Sequence, residues 1–238
     1  LIFDGCKDLS DKGLEDLSCQ GMQQIKALTC LHLSFENCDK ITDEGLKSLC
    51  LKGIRNFSQI SSLYFNFRRF VQDGTNFADL EESKYQGFKS LGEGLQQLRQ
   101  LTSLHLNFEN CHFTTDEGLE SLSSKGIRNF SQLRSLYLNF GRCFSHKIHF
   151  EEPKCQGLKR LGEELQQLRQ LTSLHLNFEN CPYITDEGLE GLSSGLKQLR
   201  QLTSLHLNFG HCHYTTDGGL ESLCLGLQKL LNLTSLGL

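Results

Sequence analysis

The sequence predicts an α/β solenoid: a horseshoe of about eight repeats with a parallel sheet on its concave side and helices on its convex side. Three observations carry this. Forty-six of the 238 residues are leucine, with no tryptophan, one methionine and two prolines, a skew that points to one unit used many times. A segment of the form LTSLHLNFENC recurs along the whole chain. Each copy switches from a period of two to a period near 3.6, which is the mark of a strand followed by a helix.

The copies can be read off directly. LTCLHLSFENC starts at Leu28, LTSLHLNFENC at Leu101 and Leu171, and LTSLHLNFGHC at Leu202. Diverged copies begin at Ile60 and Leu133, the chain opens within a copy at LIFDGC, and it ends within one at LTSLGL. The second leucine of each copy falls at 31, 63, 104, 136, 174, 205 and 236, so the intervals are 32, 41, 32, 38, 31 and 31. Residues 101–141 nearly repeat 28–68, which makes a larger unit of two copies.

Within a copy, Leu104, Leu106 and Phe108 alternate with His105 and Asn107, so the apolar set lies on the buried face of a strand. Next comes a cysteine slot: Cys6, Cys38, Cys111, Cys143, Cys181 and Cys212, with Phe70 in one copy. A small apolar residue repeated at one register reads as buried and reduced. Reduced thiols suit a cytoplasmic location, and Cys155, within an insertion, reads as the exposed thiol of the set. After the slot, Thr42, Thr115 or Thr185 opens TDEGL, with Ser10 and Thr216 as near relatives. The hydroxyl suits an N-cap, and Asp and Glu suit the positive helix end. Downstream, Leu189, Leu192, Leu196, Leu199 and Leu202 hold one helical face.

Strands stack about 4.8 Å apart and helices about 10 Å apart, so stacked units must curve with the sheet inside. The copy with SSKGIRNF, like the LCLKGIRNF copy at 49–57, carries one residue more than the SSGLKQL copy. Such an excess would rotate a regular helix's apolar face by about 100°, which predicts a break or widened turn near Gly53 and Gly126. The domain organisation expected is a single repeat domain over 1–238, a fragment of a longer array. Insertions at 70–86 and 143–156 should emerge on one rim.

The pattern L-x-x-L-x-L-x-F-x-x-C followed by T-D-E-G-L-x-x-L resembles the leucine-rich repeat, and its cysteine slot with the TD-GL helix start is similar to the cysteine-containing subclass. The resemblance covers essentially the whole chain. It implies a protein-binding solenoid; the subclass is known from F-box substrate receptors of ubiquitin ligases and from large repeat proteins of unicellular eukaryotes. No F-box-like helical segment accompanies the repeats here. The phenylalanine two residues past the last strand leucine departs from the family's common form and lengthens the strand.

Functional expectations come from the surface. No stretch approaches the roughly 18 apolar residues of a membrane span, and a net charge of −4 disfavours a phosphate backbone as partner; neither membrane nor nucleic acid is expected. The acidic pair of TDEG recurs too often to be catalytic, and no phosphate loop, HExxH or nucleophile elbow occurs, so no enzyme is expected. Cys143, His146, His149 and Cys155 have zinc-compatible chemistry, but the spacing matches no common site and Cys143 belongs to the buried slot; no metal or cofactor is assigned. The expected function is binding of a protein or peptide, the alternatives being a structural scaffold and a ubiquitin-ligase substrate receptor. The concave candidates are His32, Tyr64, Asn66, His105, Asn107, Tyr137, Asn139, His175, Asn177, His206 and Asn208; the rim candidates are Arg68, Arg69, His146 and His149. The four concave histidines should charge together as pH falls below about 6, with like-charge repulsion lowering His175 and His206 relative to His32.

Overall fold

The computed structural model describes residues 1–69, 86–111, 116–143, 155–181 and 184–238. His146 and His149, Thr115, Phe70 and most of both insertions lie outside the described residues.

Seven strands, β1 (Cys30–Ser34), β2 (Ser62–Asn66), β3 (Ser103–Asn107), β4 (Ser135–Asn139), β5 (Ser173–Asn177), β6 (Ser204–Asn208) and β7 (Ser235–Gly237), form one parallel sheet in chain order. The register keeps equivalent residues side by side: His32 beside Tyr64, Tyr64 beside His105, His105 beside Tyr137, Tyr137 beside His175, and His175 beside His206. The opening copy joins at the edge, with Phe3 N donating to Ser34 O at 2.8 Å. Helices α1 (Asp11–Asp16), α2 (Asp43–Ser48), α3 (Gln86–Leu95), α4 (Asp116–Ser121), α5 (Gln156–Leu165), α6 (Asp186–Leu196) and α7 (Asp217–Leu227) alternate with the strands. This is the predicted solenoid.

One apolar core runs the length of the array between sheet and helices. The leucines of β1 to β6 point into it, and so do Phe35, Phe67, Phe108, Phe140 and Phe178. Their rings stack from repeat to repeat, Phe67 on Phe108 with centroids 5.6 Å apart and Phe108 on Phe140 at 5.9 Å. The ladder extends past each five-residue strand, because Phe108 N donates to Asn139 O and Asn110 N to Gly141 O, both at 2.8 Å. Leu189, Leu192, Leu196, Leu199 and Leu202 are all buried, as their spacing predicts.

The extra residue in the two KGIRNF copies is absorbed as π-helical turns at Leu49–Gly53 and Leu122–Gly126, each followed by a short 3-10 turn. Helix α6, which lacks the residue, runs unbroken. A π-bulge accommodates one residue without rotating the rest of the apolar face.

The helix starts differ from the sequence reading in one respect. Thr42 and Thr216 do accept from the backbone N–H two residues on, whereas Ser10 and Thr185 make no such bond. The aspartate of each motif reaches the following repeat: Asp11 accepts from Thr42 N and Oγ1 at 2.6 Å, and Asp116 from Gln156 N at 2.7 Å and Gly157 N at 2.8 Å. Asp43 likewise accepts from Gly87 N at 2.6 Å. The carboxylate that suits its own helix dipole therefore also satisfies orphan donors of the next helix.

Candidate functional site

The concave face carries four outward rows set by strand alternation: serine (Cys30 in β1), then histidine or tyrosine, then serine or asparagine, then a charged residue or glycine. In the second row six rings lie in contact one after another, stacked from Tyr64 to His206 and tilted by 41° between His32 and Tyr64. Centroid separations run 4.0 Å for His32 and Tyr64, 4.1 Å for Tyr64 and His105, 3.8 Å for His105 and Tyr137, and 4.3 Å for both Tyr137 with His175 and His175 with His206. Stacking is a consequence of register, since in-line parallel strands place equivalent side chains at nearly the van der Waals thickness of a ring. The row ends at Gly237, beside His206 in β7.

The stack changes the expected titration. His105 and His175 are each lowered from 6.5 to about 4, chiefly because burial disfavours the imidazolium, with neighbouring histidine charge a lesser cause. The joint charging below about pH 6 expected from sequence is therefore corrected for these two: His105, between two tyrosines, is held down as firmly as His175. Burial likewise raises the Tyr64 and Tyr137 hydroxyls. The centre of the row is an uncharged aromatic surface at neutral pH.

The asparagine row serves the fold. Asn66, Asn107, Asn139, Asn177 and Asn208 each accept at Oδ1 from the backbone N–H two residues on, at 2.9–3.2 Å. Asn66 and Asn139 are buried, and Asn66 also donates to Ser34 Oγ at 3.0 Å. These asparagines close the turn after each strand, the habit of Asx side chains, so Asn66 and Asn139 offer a partner little beyond shape.

Arg68, a rim candidate, also belongs by sequence to the concave row of Glu36, Glu109, Gly141 and Glu179. It lies in the fourth concave row between two carboxylates, with Nη1 3.3 Å from Glu36 Oε1 and Nε 3.1 Å from Glu109 Oε2. Arg69 is exposed and has φ +58°. It shares the left-handed slot with Gly5, Asn37, Asn110, Arg142, Asn180 and His211. Sequence reasoning missed this slot, although glycine or asparagine fills it in four of these seven copies, the residues that tolerate φ above zero.

The cysteine slot is a hydrogen-bonded ladder. The thiol of Cys38 donates to Phe3 O at 3.1 Å, Cys111 to Phe67 O at 2.8 Å, Cys143 to Phe108 O at 2.7 Å, and Cys181 and Cys212 to Phe140 O and Phe178 O at 3.2 Å. Cys6, in the outermost copy, is exposed. Cys155 is corrected: it is 1% exposed, and burial raises its thiol to about 11. It immediately precedes α5 and belongs to that helix start. Among the described residues no cluster of three or more metal-ligating side chains occurs, and no helix is long and apolar enough to cross a membrane.

A succession of parallel strand and outer helix, stacked in register over one continuous core, defines the class: an open α/β repeat solenoid. The "Leucine Rich repeat" family model matches residues 27–50 and 170–193. Two of the chain's copies thus match the leucine-rich repeat by sequence. A search of curated proteins finds no match. Solved structures similar to it include the leiomodin-1 actin-binding site 2, at 17% identity and TM-score 0.44 over 64% of this chain and 78% of that one. Another is Toll in the Toll–Spatzle complex of Drosophila, at 14% identity and TM-score 0.37 over 87% of this chain and 23% of that one. A third is the TLR13–ssRNA13 complex, at 17% identity and TM-score 0.31 over 88% and 27%. The chain spans about a quarter of the length of the last two.

Proposed function

We propose that the protein binds a protein or peptide partner through its concave sheet, with the ring row at the centre of the contact. The observation that carries this is the unbroken row of six rings in contact across β1 to β6, five of them stacked, with separations of 3.8–4.3 Å. Rings locked by their neighbours lose little entropy on binding, and aromatic side chains are enriched where protein partners meet. With His105 and His175 neutral, covering the centre of the row strands no charge in a dry contact. The acidic row beside it supports a protein partner over a phosphate backbone. Eleven free cysteines, seven of them buried, support a reducing, cytoplasmic setting.

The test is photocrosslinking from a benzophenone side chain at Tyr137 on the sheet and, separately, at Lys197 on the helical side. A discrete adduct from position 137, absent from 197 and lost when His105 and His175 are changed to serine, is expected. Adducts from 197 alone would favour a scaffold that docks by its helices.

A further inference from the structure

We propose that the edge of the solenoid at the heads of the strands binds an extended acidic segment of a protein partner. This edge lies apart from the ring row and serves whether or not that row meets a partner. Six of the ten arginines lie on it: Arg55, Arg99, Arg128, Arg134, Arg169 and Arg200. All six are exposed. They come together because the strands are parallel and in chain order, so every connection into a strand emerges at one edge.

The backbone fixes the row. Arg99, Arg169 and Arg200 sit on one repeated turn, their amides donating to Gln97 O, Gln167 O and Gln198 O at 2.9–3.0 Å. Arg134 heads β4, with its N donating to Thr102 O at 2.8 Å and its O accepting from Thr172 N at 2.9 Å. Arg55 and Arg128 lie on the two 3-10 turns. Each of the five connections leading into β2 to β6 therefore carries at least one arginine.

No carboxylate shares these connections. Residues 53–67, 94–108, 125–141, 165–178 and 191–209 contain neither aspartate nor glutamate. Elsewhere arginine is paired: Arg68 with Glu36 and Glu109, Arg142 with Glu179, Arg160 with Glu163. Among the described residues none of the six edge arginines forms an ion pair. Burial raises the carboxyl of the helix residue Glu164, and the charge of Arg128 opposes that rise. The glutamates of the fourth concave row lie at the other end of the strands, about 20 Å away at 3.3 Å per residue, well beyond the Debye length of about 8 Å at physiological salt. The edge thus presents positive charge although the whole chain carries −4.

The spacing and the neighbours suit a peptide. Strand heads step by about 4.8 Å and helices by about 10 Å, so the turns between them step by an intermediate distance. An extended chain sets alternate side chains about 6.8 Å apart, which lets successive carboxylates meet successive arginines, each able to form two parallel bonds. Gln100, Gln170 and Gln201 follow Arg99, Arg169 and Arg200. An amide both donates and accepts, as a peptide backbone requires, whereas a phosphodiester only accepts. The aromatics of the connections, Phe57 and Phe130, are buried and leave nothing for a base to stack on.

The probe is a fluorescently labelled peptide of alternating glutamate and serine, about twelve residues long, enough to follow the row at about 3.4 Å per residue. Its anisotropy is compared with that of an oligouridylate of equal charge, and binding of the protein to phosphatidylserine-containing vesicles is measured alongside. Saturable peptide binding is expected. It should weaken about tenfold or more when Arg99→Gln, Arg134→Gln, Arg169→Gln and Arg200→Gln are combined, and less than about twofold when Lys12→Gln, Lys47→Gln, Lys159→Gln and Arg160→Gln remove the same charge from the helices. Absence of peptide binding, or equal losses in the two variants, would overturn the proposal. Equal or tighter binding of the oligouridylate or the vesicles would also overturn it, by assigning the edge to phosphate. A readout on the unmodified protein needs no variant to fold: peptide-induced amide shifts should centre on Arg99, Arg169 and Arg200. Shifts centred on His105 and His175 instead would sink the edge site and leave the ring row as the contact.

Discussion

His105 and Tyr137 lie face to face, ring centroids 3.8 Å apart and planes 4° from parallel. That contact keeps water from both faces of the imidazole once Tyr64 covers the other side, and it is why the ring resists protonation to about pH 4. In the unfolded chain the same histidine titrates near 6.5. Between those values the unfolded state binds more protons than the native state, so stability falls as pH drops from about 6.5 to about 4 and is fully present above. The half-exposed rings are screened, so each of His105 and His175 should contribute about 1 kcal/mol to this loss. Urea unfolding at pH 7 and pH 4.5 should show it, and His105→Tyr with His175→Tyr, which preserves the stack, should flatten the difference. An equal pH loss in that variant would refute the assignment.

Thiol labelling should separate the cysteines by position. Cys6, Cys19, Cys30 and Cys224 are exposed and the other seven buried, and burial raises the thiols of Cys38, Cys50, Cys181 and Cys212 as well as Cys155. Reaction with iodoacetamide depends on exposed thiolate. Intact mass after brief native treatment should therefore show four adducts, rising to eleven in denaturant. Early modification of Cys155, mapped by peptide digestion, would contradict its placement.

The fold was legible because two periods are written into each copy: Leu104, Leu106 and Phe108 alternate as a strand, and Leu189 to Leu202 recur as a helix face. Counting residues located the π turns at Gly53 and Gly126 but not the one at Leu17–Gly21. What one copy does to the next was not legible. The ring stack, the Asp11 to Thr42 bonds and the thiol ladder depend on which side chains meet across 31 or more residues of sequence. The Cys155 reading failed for a related reason: residue counts give the size of an insertion, but they do not say where the helix resumes.

The left-handed slot gives a stability prediction with a definite sign. His211 holds φ +61°, a conformation costing a non-glycine residue about 1–2 kcal/mol. Glycine removes that cost while losing about 0.5–1 kcal/mol of unfolded-state entropy. His211→Gly should therefore stabilise by about 0.5–1 kcal/mol in urea unfolding, and Asn180→Ala, which puts a Cβ-bearing residue with no compensating amide at φ +55°, should destabilise. Loss of stability in His211→Gly would show that the imidazole makes contacts that outweigh the strain.

The π turn at Leu122–Gly126 makes the last prediction, which concerns deletion. Removing Lys125 leaves LSSGIRNF, the spacing of LSSGLKQL in α6, and brings the Leu122-to-Ile127 interval from five to four. The helix can then run as α6 does with Leu122 and Ile127 still facing the core, and the main interaction removed is the exposed ion pair of Lys125 Nζ with Glu93 Oε1 at 2.6 Å. Such a pair is worth at most about 1 kcal/mol, and relief of the bulge offsets part of it, so the deletion should change stability by less than about 1 kcal/mol. Deleting Ser194 from α6 is the counter-experiment. That helix has no surplus residue to absorb, so Leu196 and the residues after it would turn by about 100° off the core, at a cost of about 2–5 kcal/mol for a buried leucine. Comparable losses in the two deletions would mean that the π turn packs as tightly as the helix and is not a spare residue.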